Sequence, residues 1–209
     1  MKNDDARPYH HGALETALVE RALDQVRAAG SENFSVRQAA REIGVSPGAA
    51  YRHFRTKDEL LAAVGRCGDA MLAERMAAAR AKAGDIRAEA IGIGLAYVAF
   101  AREEPRLFQL MLAVPPPVGA CEKACGPAAA PGAEDSAYGQ LRAVVRRYLG
   151  GDGAAREDVI ERCCDFLWVI AHGLASIEAT TGWQRSRDDL VAILEMGLAT
   201  LDAERQGGR

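Results

Sequence analysis

Hydrophobic residues recur three or four positions apart along most of the 209-residue chain, which is the spacing of a buried helix face. The pattern predicts helices over 12–29, from 57 to about 83, from 86 to about 102, over 106–112 and over 137–149, with two more after residue 159. Two short helices are added by residues 34–57. We therefore expect an all-α protein of about nine helices.

The segment 34–57 predicts two short helices joined by a tight turn. Ser35 can cap the first helix, and Gly44 stands at its end, where a residue that tolerates a left-handed backbone is favoured. Ser46 offers a second N-cap, and Pro47 suits the first helical position because its missing N–H has no partner there anyway. Helix, glycine turn and second helix make the helix-turn-helix plan, in which the second helix can lie in the DNA major groove.

An ordinary helical hairpin inside an all-α domain would show a similar turn. However, the second helix is short, and its outward side chains are small or hydrogen-bonding, which allows close approach to another surface: Gly48, Ala49, Tyr51, Arg52 and His53. The segment also carries five basic residues against one acid. These features favour DNA binding over simple packing.

The last two helices carry the most regular pattern, with apolar residues alternately three and four positions apart, as in a heptad seam. The seam consists of Ile160, Cys163, Leu167, Ile170, Leu174 and Ile177, continued by Leu190, Leu194, Leu198 and Leu201. Such a seam is either buried within one chain or forms a homodimer through a four-helix bundle. A dimer would present two helix-turn-helix segments to two half-sites of DNA.

Composition sets limits on these expectations. Hydrophobic residues make up 49% and charged residues 26%, and the formal net charge is −3, so a DNA-binding surface has to be local. The first residues lack the apolar run of a secretory signal, and no segment is apolar for about 18 residues. We therefore expect a cytoplasmic protein that does not span a membrane. Five cysteines favour a reducing compartment over a disulfide framework.

Residues 114–133 break the helical pattern with five prolines and three glycines, which predicts a loop. Cys121 and Cys125 lie in it, so a thiol- or metal-responsive regulator is one alternative. Their spacing is not that of a zinc site, and we expect no bound metal and no cofactor.

Sequence patterns typical of enzymes do not occur in the chain. There is no phosphate loop, no nucleophile elbow and no HExxH pair. We therefore expect a protein that is not an enzyme. An all-helical enzyme or small-molecule-binding protein is the alternative from a different class, but it would not need the segment 34–57.

Residues 44–61 closely resemble the signature of TetR-type transcriptional regulators, Gly-Val-Ser-x-Gly-x-x-Tyr-x-His-Phe-x-x-Lys-x-x-Leu. The resemblance implies a helix-turn-helix head over 1–56, with its motif at 35–54, and a helical domain for effector binding and dimerisation over 57–209. It implies a repressor that an unknown small-molecule effector releases from a double-stranded DNA operator. Trp168, His172 and Gly173 also resemble a Trp–His–Gly feature of one subgroup.

The resemblance assigns the DNA contacts to nine residues: Arg37, Ser46, Pro47, Gly48, Ala49, Tyr51, Arg52, His53 and Lys57. Arg37 is expected to contact a guanine edge or a phosphate, and Lys57 a phosphate beside a helix N-terminus. Because the groove-facing side chains are small, sequence choice is expected to depend on Arg37 and on DNA shape.

The same resemblance implies an apolar effector cavity in the C-terminal domain. Its candidate lining residues are Tyr97, Phe100, Phe108, Met111, Phe166, Trp168 and His172. Packing in the core is the alternative role for each of them. The long helix that begins at Lys57 is expected to carry the effect of a ligand to the head.

Overall fold

The computed structural model describes residues 11–113, 135–150 and 156–207, and all regular structure within them is helical. The nine helices are α1 (His11–Ala29), α2 (Val36–Glu42), α3 (Pro47–His53), α4 (Lys57–Ala81), α5 (Ile86–Glu103), α6 (Pro105–Ala113), α7 (Ala137–Tyr148), α8 (Glu157–Thr181) and α9 (Arg187–Gly207). The all-α class expected from the sequence is confirmed for these ranges. None of these helices is long and apolar enough to cross a bilayer.

The described residues form two compact units. The first comprises 11–68 and 106–113, and the second comprises 69–105, 135–150 and 156–207. The division therefore falls inside α4, and almost all of α6 belongs to the first unit. The domain boundary expected at residue 56 stays a prediction.

In the first unit, α1, α2 and α3 pack on one another around buried side chains such as Leu18, Ala39 and Ala50. The guanidinium of Arg106, on α6, donates to the backbone carbonyls of residues 27 and 28. These carbonyls lie at the end of α1, where the helix itself supplies no donors. This residue therefore caps α1 from a position far along the chain.

In the second unit, α5 is the central helix and packs against α7, α8 and α9. Phe100 and Val98 are fully buried. A Cβ atom at Gly94 would lie 2.7 Å from a methyl carbon of Leu194, so α9 lies close to α5 at this point because residue 94 has no side chain.

A buried carboxylate joins the end of α8 to α5. The side chain of Glu178 is 1% exposed and accepts from the guanidinium of Arg102 at 2.5 Å and from the backbone N–H of Arg185 at 2.9 Å. Burial alone would raise the pKa of Glu178, but these donors and the two nearby guanidinium groups lower it below the ordinary value. The carboxylate therefore stays charged and holds the segment between α8 and α9 in place.

The predicted dimer seam is largely the core of the protomer. Eight of its ten residues are less than 9% exposed: Ile160, Cys163, Leu167, Leu174, Leu190, Leu194, Leu198 and Leu201. Ile170 is half-buried, and Ile177 is 44% exposed. The prediction that the seam forms a dimer surface is therefore wrong for these eight residues. They are already covered within the protomer, where α8 packs on α9 and both helices pack on α5.

The described cysteines differ in state. Cys163 and Cys164 are buried free thiols, whereas Cys67 is disulfide-bonded. Burial raises the pKa of Cys164 to about 12, so its thiol is protonated at neutral pH. Cys121 and Cys125, together with the predicted loop at 114–133, lie outside the described residues. Among the residues that the structure describes, no group of three or more His, Cys, Asp or Glu side chains is placed to hold a metal ion.

Candidate functional site

The turn between α2 and α3 is built from local hydrogen bonds. The Ser35 hydroxyl accepts the N–H of Gln38 at 3.3 Å and caps α2. Gly44 has a φ of +80°, and the N–H of Val45 donates to the Ala40 carbonyl at 2.9 Å. This is the helix-ending geometry that favours glycine. The predicted cap and turn are therefore confirmed.

α3 begins as its sequence predicts. The Ser46 hydroxyl accepts the N–H of Ala49 at 3.2 Å, and Pro47 occupies the first helical position. Ala50 is fully buried, and Phe54, which is 4% exposed, ends the helix. The short helix is thus fixed from one side and at both ends, which leaves its other side to solvent.

All nine predicted DNA-contact residues are at least partly accessible. Arg37, Ser46, Pro47, Gly48, Tyr51 and Arg52 are exposed, whereas Ala49, His53 and Lys57 are half-buried. A Cβ atom at Gly48 would have no neighbour closer than 4.0 Å, so nothing in the protein requires glycine there. The structure therefore gathers these residues on and beside α3, and their contacts with DNA stay a prediction.

Lys57 is more constrained than the sequence indicated. Its Nζ donates to the Glu32 carbonyl at 3.3 Å and lies 5.8 Å from the centre of the Phe34 ring. These contacts hold the ammonium group at the start of α4. A basic group and free helix N–H groups there favour a bound phosphate.

The start of α4 is also capped by local side chains. The Glu59 N–H donates to the Thr56 hydroxyl at 3.0 Å, and the Glu59 carboxylate accepts the N–H of Arg55 at 2.6 Å. These two hydrogen bonds resemble a capping box and fix the junction between α3 and α4.

Glu42 is a residue of the head whose role the sequence did not reveal. Its carboxylate accepts from the side-chain amides of Gln38 and Gln25, each at 2.9 Å, and lies 3.6 Å from the Arg21 guanidinium. These two hydrogen bonds, Gln38 first, hold its pKa below the ordinary value. Because Gln25 and Arg21 are on α1, this acid ties the end of α2 to α1. Neither partner on α1 is close in sequence, so local patterns carry no sign of it.

The second unit contains a small cavity between α5, α8 and neighbouring helices. Its volume is about 30 Å³, measured for the centres of water-sized molecules. The lining consists almost entirely of apolar side chains: Met76, Ala90, Ile93, Gly94, Tyr97, Leu141, Leu167, Trp168, Ala171, Leu194 and Leu198. The rings of Tyr97 and Trp168 meet edge to face, with their centres 5.1 Å apart.

Only some of the predicted effector-pocket residues lie at the cavity. Tyr97 and Trp168 line the cavity, and the Nδ1 atom of His172 lies 3.0 Å from the Tyr97 hydroxyl oxygen. Phe100 is fully buried outside the lining. Phe166 is 43% exposed and does not line this cavity, so its place in an effector pocket stays a prediction.

The other two predicted pocket residues belong to the first unit. Phe108 is buried there, and a Cβ atom at Gly68 would lie 2.5 Å from the Met111 sulfur, so Met111 covers a glycine of α4. Neither residue lines the cavity of the second unit. Sequence spacing gave their apolar character but not the unit in which they are buried.

A half-buried acid lies near the aromatic side of the cavity. Burial raises the pKa of Asp69, partly offset by a hydrogen bond from the backbone N–H of Ala137 at the start of α7. Burial, and then the charge of Asp69, raise the pKa of Tyr97. Tyr97 is therefore a neutral phenol at physiological pH.

Two family models match the chain. Residues 18–64 match a model described as bacterial regulatory proteins of the tetR family, and residues 90–201 match one described as the tetracyclin repressor-like C-terminal domain. The second match alone spans more than half of the 209 residues.

Solved structures with similar folds cover almost the whole chain. A protein of unknown function from Rhodococcus sp. RHA1 is 27% identical, with a TM-score of 0.65 over 96% of this chain and 98% of that one. The regulator PfmR from Thermus thermophilus is 21% identical, with a TM-score of 0.56 over 87% and 97%. A TetR variant from Acinetobacter baumannii AYE, in complex with minocycline, is 20% identical, with a TM-score of 0.57 over 89% and 92%.

Proposed function

Because the chain belongs to the TetR family of bacterial transcriptional regulators, we propose that it binds an operator as a homodimeric repressor and is released by a small molecule. The observation that carries the proposal is the accessible surface of α3 beside Arg37 and Lys57. DNA binding through a helix-turn-helix head is a property of the family. The identity of each contact, the repression and the effector belong to our proposal, as does a site of action in the cytoplasm, where bacterial operators lie.

Phosphate contacts position a protein on DNA, whereas contacts with base edges choose the sequence. Pro47 and Gly48 have no side-chain hydrogen-bond donors, so they contribute shape rather than base-specific bonds. We propose that the exposed guanidinium of Arg37 contacts a base and that the tethered ammonium of Lys57 contacts a phosphate.

The test compares two variants on two DNAs, the region upstream of the protein's own gene and a scrambled duplex, by fluorescence anisotropy over a range of salt concentrations. Arg37→Ala is expected to lose about 1–3 kcal/mol on the upstream DNA and much less on the scrambled duplex. Lys57→Ala is expected to weaken binding to both and to reduce the salt slope by about one.

Arg156→Ala serves as a matched control, since Arg156 is 83% exposed and lies at the start of α8, in the second unit. It is expected to leave both affinities unchanged. Equal losses on the two DNAs for Arg37→Ala would contradict its role in base recognition. Binding of the unmodified protein to the upstream DNA that is no tighter than its binding to the scrambled duplex would contradict an operator in that region.

We further propose that the dimer forms through the solvent-facing sides of the last two helices. α8 exposes Phe166, Val169 and Ile177, which are 43%, 66% and 44% exposed, with Gly173 between the last two. α9 exposes Ala192, Met196, Ala199 and Ala203, spaced by four, three and four residues. Burying such apolar stripes against a second copy is favourable, and a two-fold dimer needs only this one self-complementary surface.

Effector release is typical of the family, and the related TetR variant from A. baumannii is bound to minocycline. We propose the cavity lined by Tyr97 and Trp168 as the corresponding site, and we place the C-terminal domain in the Trp–His–Gly subgroup. A compound that raises the thermal stability of the protein is expected to weaken operator binding. A compound that binds tightly and leaves operator affinity unchanged would contradict this coupling.

A further inference from the structure

We propose that the effector is a small, uncharged and largely apolar molecule, with a single ring or a short branched alkyl group held in the cavity of the second unit. The inference rests on the proposed function, since it names the chemical class of the effector. It follows from the chemistry of the lining, from the placement of nearby charges and from the size of the cavity.

The lining has no charged side chain. Nine of its eleven residues are aliphatic, methionine or glycine, and the other two are Tyr97 and Trp168. An ion that entered would lose its hydration without gaining a counter-ion or a set of hydrogen bonds, which is strongly unfavourable. A neutral apolar ligand loses little hydration and gains contacts with every wall.

Two ionisable side chains on the helices that line the cavity already have partners in the protein. Asp69 accepts the N–H of Ala137, and burial favours its uncharged form. The guanidinium of Arg102, on α5, is bound to the carboxylate of Glu178. Neither residue belongs to the lining, so neither offers a ready partner for a charged effector.

The polar groups of the lining are limited to one hydroxyl and one indole. The Tyr97 hydroxyl lies 3.0 Å from Nδ1 of His172, which orients it. A ligand with one small polar group, such as a hydroxyl or a carbonyl, matches this supply, whereas a sugar or a phosphate does not.

The size of the cavity points to a compact ligand. A single water molecule needs about 10–15 Å³ on this measure, so a cavity of about 30 Å³ admits only a group of a few atoms before its walls move. Met76 is the most flexible of the lining side chains, and Leu194 occupies the space that Gly94 leaves open. We expect these two side chains to shift when a ring enters.

A cationic effector is the competing possibility, because aromatic faces attract cations. Trp168 has Tyr97 on one side and Tyr138 on another, with the centre of the Tyr138 ring 5.6 Å away. However, Tyr138 is not part of the lining, and both tyrosines meet Trp168 at angles near 70°. The two classes are separated by experiment.

The test uses the full-length protein with benzyl alcohol, benzylamine and benzoate, which share one ring and differ in charge at pH 7. Binding is measured by calorimetry. Benzyl alcohol is expected to bind at least about tenfold more tightly than either ion. Equal affinities, tighter binding of an ion, or no binding of benzyl alcohol would overturn the proposed class.

Two variants locate the site. Ala171→Leu adds volume to the lining and is expected to weaken benzyl alcohol binding at least about tenfold. Ala88→Leu makes the same change at an exposed position of α5 and is expected to have no effect. Unchanged binding in Ala171→Leu would overturn the location.

A fluorescence measurement gives a second readout that does not alter the cavity. Trp183 is 63% exposed, and Trp183→Phe leaves Trp168 as the single tryptophan of the chain. Its emission is expected to change with added benzyl alcohol, saturating at the calorimetric Kd. A saturable calorimetric signal without any change in Trp168 emission would place the ligand elsewhere.

Operator affinity is measured in the same samples, so that the two proposals fail separately. Binding of benzyl alcohol in the cavity without release of DNA leaves the ligand class intact and contradicts effector control by such ligands. Release of DNA that persists in Ala171→Leu supports effector control and overturns this cavity as its site.

Discussion

Two neighbouring residues of α8 have opposite surroundings. Leu174 is 7% exposed and packs in the core of the second unit, whereas a Cβ atom added at Gly173 would meet nothing within 4 Å. The side of Leu174 also carries buried Leu167, and the side of Gly173 carries exposed Val169 and Ile177. Both sides of the helix are apolar, and the difference lies in what covers them. An apolar face is therefore evidence for burial, but not for the molecule that buries it.

The largest effect is expected on the buried side. Leu174→Ala removes a core side chain and is expected to lower the free energy of unfolding by about 2–5 kcal/mol, because the cavity left behind is only partly refilled. Urea denaturation at two protein concentrations measures the loss. Val169→Ala is the control on the exposed side, and a comparable loss there at low protein concentration would contradict the division between the two sides.

Gly173→Arg is expected to act on the proposed dimer instead. A Cβ atom there meets nothing within 4 Å in its own protomer, so the arginine side chain can begin without a clash. It would place a charge in a two-fold apolar interface, so dimerisation should weaken at least about 100-fold. Analytical ultracentrifugation measures the change, and operator affinity should fall with it. The folded protomer should be retained, since arginine favours a helix over glycine by roughly 1 kcal/mol.

Gly173→Ala is the matched control for that experiment, because it adds only one methyl group and should leave a dimer. If Gly173→Arg remained fully dimeric, the interface would have to lie elsewhere on the surface. A protein that is monomeric without any substitution would equally contradict the proposed face.

The buried carboxylate of Glu178, at the end of α8, allows the core side of the helix to be tested by changing the pH. Glu178→Gln leaves Arg102 without its carboxylate partner and is expected to cost about 1–3 kcal/mol at pH 7. Because the folded-state pKa of Glu178 is lowered, its contribution is present above the ordinary carboxyl pKa and is lost as the pH falls through the lower folded value. The difference between variant and unmodified protein should therefore shrink below about pH 4.

Unfolding curves at several pH values check that expectation, with Glu157→Gln as the control. Glu157 pairs with Arg142 and Arg146, and its side chain is 50% exposed. Its loss should cost no more than about 0.5 kcal/mol at any pH. A difference for Glu178→Gln that does not depend on pH would show that the charge of this residue is not what stabilises the α8 end.

The smallest effect is expected at Met196, which is 73% exposed on α9. Met196→Ser should change the unfolding free energy by less than about 0.5 kcal/mol at low protein concentration, while weakening dimerisation by less than about tenfold. Met76→Ser provides the contrast, since Met76 is 2% exposed. This substitution should lower the free energy of unfolding several-fold more than Met196→Ser does. Equal losses for the two methionines would mean that Met196 is also covered within the protomer.

The helix-turn-helix could be predicted almost residue by residue, because the hydrogen bonds that build it join residues three to five positions apart. Ser35 with Gln38, Ser46 with Ala49, and Thr56 with Glu59 are such pairs. The cavity could not be predicted in the same way. Tyr97 and Trp168 were found, but the hydrogen bond between Tyr97 and His172 joins residues 75 positions apart, and the exposure of Phe166 could not be read from its spacing.

The sequence by itself determined the helices, their caps, the turn at Gly44 and the apolar character of α8 and α9, since each follows from the order of neighbouring side chains. The tertiary structure alone decided that Leu167 and Leu174 are buried within the protomer and that Val169 and Ile177 are exposed. The reason is physical. Helical periodicity places apolar residues on a face, but only the packing of distant helices decides which face is covered.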